Sequence, residues 1–245
     1  MRVNSTDLQN SFGKYLALVE KEDIIVLKNG KSVAKLSNYF DYRDYIKEEA
    51  RDYNSKNYER VSYQEYLELV ESSDQRYELI DGEVFLMASP SFRHQMLVNE
   101  ISWHLNNYFR NHKCSSLTSP LDIKLQGYAP KFREDPNVVQ PDLIVICDPE
   151  NVEDDKYQGV PSLLVEVLSP STKKRDLILK LNLYLKSGVK EYWIVDPENK
   201  KITQYIFTED RDIKAINDLK PGETLESDYF EELNVPISQI FSKID

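Results

Sequence analysis

Two short apolar runs each carry one carboxylate where a protein core has no use for it. In Leu163-Leu164-Val165-Glu166-Val167-Leu168 a glutamate interrupts a stretch of the kind that fills the middle of a sheet. In Gln140-Pro141-Asp142-Leu143-Ile144-Val145 an aspartate heads a second such stretch. Burying an ionised carboxylate is costly unless a cation or several donors meet it. The two runs therefore require a buried sheet and an arrangement that brings positive charge to both acids. On neighbouring strands the two carboxylates can share a Mg²⁺, which takes hard oxygen ligands and keeps several waters. Such an ion lowers the pKa of a bound water and neutralises charge on a phosphate. A nearby lysine would position or deprotonate that water and stabilise the developing charge. The alternative is that Asp142 caps a turn and Glu166 pairs with a structural lysine or arginine.

The surrounding pattern predicts a mixed α/β sheet flanked by helices. Ser62 followed by Glu65 is a capping box that opens a helix over Tyr63–Val70. Asp81-Gly82 between Tyr77-Glu78-Leu79-Ile80 and Glu83-Val84-Phe85-Leu86-Met87 predicts a hairpin, because both central positions of a type I′ turn need positive φ. His94, Leu97, Val98, Ile101, Leu105, Tyr108 and Phe109 share one face of a helix over about 93–111. Strands are predicted over 121–125, 138–146, 163–168, 192–195 and 202–207, and an amphipathic helix over 176–186.

Composition narrows the function classes. The 245 residues carry 31 Lys/Arg against 42 Asp/Glu, so this is not a protein that coats nucleic acid through bulk charge. A nuclease with a local basic groove remains compatible. The imbalance is uneven: residues 1–45 hold seven basic and six acidic side chains, and the remaining 200 hold 24 and 36. That step predicts two parts with different tasks. No run is apolar enough to span a membrane, and the polar first ten residues are not a secretory signal, so a cytoplasmic protein is expected. Cys114 and Cys147 are too few for a disulfide scaffold or a zinc site, and both are expected to be reduced.

In the first part, Val3-Asn4 reads as a short strand and Ser5 or Thr6 as the cap of a helix whose apolar face is Leu8, Phe12, Tyr15, Leu16 and Val19. Lys28-Asn29-Gly30-Lys31 then joins two apolar runs as a hairpin. So small a unit calls for dimerisation. The ordered set Val3–Leu8, Phe12-Gly13-Lys14-Tyr15-Leu16, Ile24–Lys31 and Val33-Ala34 resembles the N-terminal domain of Phd/YefM-type antitoxins. That resemblance implies, over residues 1–45, a small α+β homodimeric module that binds DNA. Arg2, Asn4, Thr6, Lys14, Lys28, Asn29 and Lys31 are its candidate contacts; the lysines alternatively solvate a hairpin tip. In such antitoxins the following segment masks a toxin, so a toxin partner is a possibility for residues 46–60. Over 41–60, Tyr42, Tyr45, Ile46 and Ala50 share one face of an expected helix that decays into a polar linker near Asn54-Ser55-Lys56-Asn57.

The second part, 61–245, resembles the Uma family within the PD-(D/E)XK nuclease superfamily. The residues that carry this are Arg76–Glu83, Pro90 with His94, Gln140-Pro141-Asp142, Glu166–Thr172, Asp176…Lys180…Tyr184, Gly188-Val189 and Glu191–Pro197. The resemblance implies a restriction-endonuclease-like core and Mg²⁺-dependent DNA cleavage, with Mn²⁺ as a possible substitute. Asp142 and Glu166 would hold the metal, with the Val167 carbonyl as a third ligand. The superfamily lysine belongs two residues after the glutamate, where this chain has Leu168. The resemblance points instead to Lys180 on the next helix, with Lys173 or Lys174 as second choices. If Lys180 is only a surface residue, the nuclease fold is idle and the protein is a DNA-binding repressor or an acidic interaction domain. Glu78 is an auxiliary catalytic and metal candidate, His94 a catalytic one, and Gln140 could orient a water or phosphate. His104 and His112 read as structural, Asp122 as a turn or edge residue. Lys173-Lys174-Arg175 could grip a DNA backbone or merely solvate a helix start.

Overall fold

The structure, a computed structural model, describes residues 2–19, 24–36, 60–125, 136–153, 156–169, 172–173 and 175–244. The expected helix at 41–50 and its linker lie outside these residues, as does Lys174. The chain divides into two compact units, 1–51 and 52–245.

In the first unit, β1 (Arg2–Asn4) runs parallel to β2 (Ile24–Lys28), which pairs antiparallel with β3 (Lys31–Leu36). Asn29 and Gly30 both have positive φ, as the expected turn requires. Between β1 and β2 the chain forms α1 (Ser5–Asn10) and α2 (Phe12–Val19), broken at Ser11 where one helix was expected. The cap position is Asn4, not Ser5 or Thr6, and no side chain bonds there. Leu8, Tyr15 and Leu18 pack on Val3, Ile24 and Val26. Phe12 and Leu16 do not share that core; they are exposed, as is Val33.

The second unit opens with α3 (Tyr63–Glu71), whose capping box forms as expected. One six-stranded sheet has the order β10-β11-β7-β8-β4-β5, built from β4 (Tyr77–Ile80), β5 (Glu83–Leu86), β7 (Ile123–Leu125), β8 (Asn137–Val139), β10 (Val152–Glu153) and β11 (Lys156–Tyr157). The other has the order β15-β14-β13-β12-β9-β6, from β6 (Ser115–Thr118), β9 (Leu143–Ile146), β12 (Leu163–Val167), β13 (Glu191–Asp196), β14 (Lys201–Phe207) and β15 (Ile213–Leu219). A small pair, β16 (Thr224–Glu226) with β17 (Asn234–Pro236), and a short helix α6 (Ile237–Phe241) complete the unit. The core lies where α4 (Phe92–Phe109) presses Leu97, Ile101, Leu105 and Phe109 onto the Leu143, Val145, Val165 and Trp193 face of the second sheet.

Two departures from expectation position the site. The strand expected over 138–146 is two strands, one in each sheet. Pro141 has no amide to offer a ladder, and the Gln140 amide donates to the Glu78 side chain at 2.9 Å instead. Residues 140–142 are thus the crossing between sheets, with Asp142 on the far side of it. The helix expected over 176–186 begins as a wide π-helical turn, Arg175–Lys180, before α5 (Leu181–Ser187). Such turns re-aim side chains and recur at functional sites. A third departure is chemical: Cys114 and Cys147 form a disulfide rather than remaining thiols. They flank the paired strands β6 and β9 one step beyond Ser115↔Ile146, so the register itself sets the sulfurs face to face.

Candidate active site

β9 and β12 are antiparallel neighbours, with Val165 opposite Leu143. One step further along the same register, Glu166 stands opposite Asp142. Directly opposed residues project to the same face of a sheet, so the two carboxylates share one side of the pair. They border a cleft of about 690 Å³ that is also lined by His94, Arg175, Asp176 and Lys180.

Lys180 is the hub of this cleft. Its Nζ lies 2.7 Å from Glu166 Oε1, 2.8 Å from Glu78 Oε1 and 3.7 Å from Asp176 Oδ1, and only 1% of the residue is exposed. Burial alone would push the ammonium down, but the carboxylates of Glu166, Glu78 and Asp176 outweigh it and hold the pKa above the usual lysine value. Lys180 is therefore a fixed cation. Glu166 is pushed well above the usual carboxylate range by burial, then by repulsion from Asp176, Asp142 and Glu78, against the pull of Lys180. Glu78 differs although it is equally buried. Burial raises it, yet Lys180, Arg175 and the Gln140 amide bring it below its ordinary value. Glu78 is the ionised partner of the lysine, and Glu166 a carboxyl whose protonation burial favours.

Each carboxylate is aimed by neighbours. Asp142 Oδ2 accepts from the Val167 amide at 2.8 Å and lies 3.1 Å from His94 Nε2. His94 reaches it because the Ser91 hydroxyl caps α4 at the His94 amide. Burial lowers the His94 pKa, but the hydrogen bond and charge of Asp142 raise it further, for a net upward shift. Glu166 Oε1 also accepts from the Tyr184 hydroxyl at 3.0 Å, one turn beyond Lys180. Asp176 is lifted above the usual range by burial, with Lys180 opposing. Arg175 stacks its guanidinium over the Phe85 ring, 5.3 Å from centroid, with Nη1 3.4 Å from Glu78 Oε2.

The structure thus brings Asp142, Glu166, Glu78, His94, Lys180 and Arg175 together. Lys173 stands at the rim, 3.7 Å from Asp196. Gln140 joins through its amide on Glu78, while its side chain donates to Asp122 at 2.8 Å, which places Asp122 behind the site. His104 and His112 lie away from it, edge-on to Trp103 and stacked on Tyr108. Among the described residues no three acidic, histidine or cysteine side chains converge as a metal cage. The expected set of Asp142, Glu166 and Glu78 is not assembled that way, because both Glu78 oxygens face cations. Sequence reasoning missed Tyr184 as the Glu166 donor and Arg175 as the Glu78 partner. The 4, 4 spacing of Asp176, Lys180 and Tyr184 was the available signal for the first; the second depends on the π-helical turn. Arg2, Asn4, Thr6, Lys14, Lys28 and Lys31 are all exposed on the first unit.

A curated relative, an uncharacterized protein of Synechocystis sp., is 28% identical over 159 residues, covering 64% of this chain and 80% of its own. The crystal structure of "a putative nuclease belonging to DUF820" from Anabaena variabilis superposes with a TM-score of 0.59 at 21% identity, over 74% of this chain and 98% of its own. At that identity the likeness is one of fold. Residues 63–238 match the Uma2 family, described as "Putative restriction endonuclease", and since that span is most of the chain, this protein belongs to the Uma2 family.

Proposed function

We propose that the protein is a metal-dependent endonuclease that hydrolyses DNA phosphodiester bonds. The observation that carries this is the Lys180 ammonium locked between Glu166 and Glu78, directly beside the face shared by Glu166 and Asp142. It supplies from a helix the cation that Leu168 cannot. The donor set fits a hard divalent ion. Glu166 Oε2 and Asp142 Oδ1 make no hydrogen bond among the described residues, and two carboxylates leave room for the waters that Mg²⁺ keeps. When bound there, Mg²⁺ or Mn²⁺ would supply a water of lowered pKa and offset phosphate charge.

The remaining steps belong to the chain. Lys180 stays protonated, so it stabilises negative charge on the phosphate rather than acting as a base. Glu78 holds it in place. His94 and the Val167 amide fix the Asp142 carboxylate. Arg175, pinned on Phe85, presents its remaining N–H groups to a phosphate oxygen. A water held there would add to phosphorus in line with the leaving oxygen and give up its proton to solvent, while the P–O bond to the leaving oxygen breaks and that oxygen takes a proton from solvent. Incubating supercoiled plasmid with Mg²⁺, with Mn²⁺ or with EDTA tests this. Nicking or linearisation only with the metals, and none by Glu166→Gln, is expected; metal-independent nicking at equal rate by both proteins contradicts it.

The first unit is proposed as an antitoxin-like, dimeric DNA-binding module. Phe12, Leu16 and Val33 are large apolar side chains left exposed, and Lys28 and Lys31 stand exposed at the hairpin tip. In the full chain, Lys28→Ala/Lys31→Ala is expected to weaken DNA retention in a mobility shift and flatten its salt dependence. Unchanged retention contradicts that role.

A further inference from the structure

The outer face of α4 is unusual for this chain. A protein with 42 acidic residues places none on the exposed side of this 18-residue helix. The helix's one acid, Glu100, is half-buried and ion-paired with Lys243 at 2.8 Å. What the face does present is Phe92, Gln95, Asn99, Trp103, Asn106 and, just past its end, Arg110. Trp103 is 59% exposed, a large uncovered aromatic surface on a helix whose opposite side is core. This face is continuous with the cleft, since Gln95, Asn99 and Ser102 line it and Trp103 stands one turn beyond Asn99.

The geometry points to α4 as the track for a single-stranded stretch of DNA flanking the scissile phosphate, with a base stacked on Trp103. This rests on the nuclease reading of the same cleft and names its substrate class. Amides and hydroxyls without competing carboxylates suit a polyanion, and an exposed indole suits an unpaired base, which always has a free ring face. A duplex hides those faces in its own stack.

The chain has two tryptophans, and Trp193 is fully buried with its Nε1 on Glu191, so ligand-induced changes in emission report Trp103. Full-length protein in EDTA, where cleavage is blocked, is titrated with an oligothymidylate of about 12 nucleotides, within the range that single-strand binding sites cover. Saturable quenching is expected, weaker at higher salt. Trp103→Ala should raise Kd about tenfold with an unchanged unfolding midpoint, and Trp103→Phe should restore affinity but not quenching. A duplex of the same length should quench Trp103 emission less, whatever the first unit adds to its retention. If the oligonucleotide binds by anisotropy but emission is unchanged and Trp103→Ala binds as the wild type does, the track is overturned while Mg²⁺-dependent plasmid cleavage leaves the nuclease reading standing. Equal or greater quenching of Trp103 by the duplex overturns it too. If no oligonucleotide binds, the track falls, and plasmid cleavage decides separately whether the nuclease reading falls with it.

Discussion

A carboxylate inside a strand has to be answered by something, and this chain gives two different answers. Glu166 is met by a cation and a phenol. Glu191, entirely buried on the next strand, is met by donors only: Trp193 Nε1, the Gln204 amide, the Ser227 hydroxyl and the backbone amides of Asp228 and Tyr229. That makes Glu191 the anchor of the 227–230 turn and not part of the cleft. Glu191→Ala takes the shared acceptor from five donors and leaves the buried Trp193 Nε1 without its partner; it is expected to lower unfolding stability by about 1–3 kcal/mol, read from urea melts, and a loss within experimental scatter would mean the turn does not depend on it. His94 makes a pH-dependent contribution. Its folded pKa lies above the unfolded value near about 6.5. The stabilisation is therefore complete below that value and disappears as pH rises through the folded pKa. The gap in urea midpoint between wild type and His94→Gln should be wider at about pH 5.5 than at about pH 8.5. A gap that grows with pH contradicts the Asp142 pairing.

At the scale of elements, the legible features were those with a local cause. Asn29-Gly30 and Asp81-Gly82 announce their turns because little else tolerates two positive φ values in succession. Ser62 and Glu65 announce a helix start because each satisfies the other's backbone. The acids at 142 and 166 were visible because apolar neighbours made them costly. What escaped depended on partners distant in sequence. The break at Pro141 divides one apolar run between two sheets, which periodicity cannot show. The polar edge strand β15 was hidden because most of its residues face solvent, so no burial pattern marks it. The disulfide escaped because the expectation of a reducing compartment outweighed a register that only the fold reveals. It closes a loop of 33 residues between two elements that frame Asp142. Reduction is expected to lower unfolding stability by about 3 kcal/mol, measured by denaturant melts with and without a reductant; identical melts contradict a structural role for the bond.

For the whole molecule, the cleft gathers Arg175 and Lys180 in a chain that is acidic overall. The sequence offered Asp142 and Glu166 as a metal-holding pair or as structural residues, and it left open whether a lysine reached either of them. The answer came from the wide turn at 175–180, which delivers Lys180 to two glutamates carried by different sheets. Lys180 has a structural role beside its proposed chemical one: removing it leaves three buried acids without their main cation, a loss of about 3–5 kcal/mol for such pairs. Single-turnover cleavage separates the two roles if it is measured on protein whose fold has been verified by circular dichroism. Lys180→Met should cut the rate at least about 100-fold, the scale for losing one charge-stabilising group. Leu168→Lys/Lys180→Met, which returns the ammonium to the cleft from Leu168 on its wall, should recover part of that rate. A folded Lys180→Met protein that cleaves as fast as the wild type would contradict the central claim.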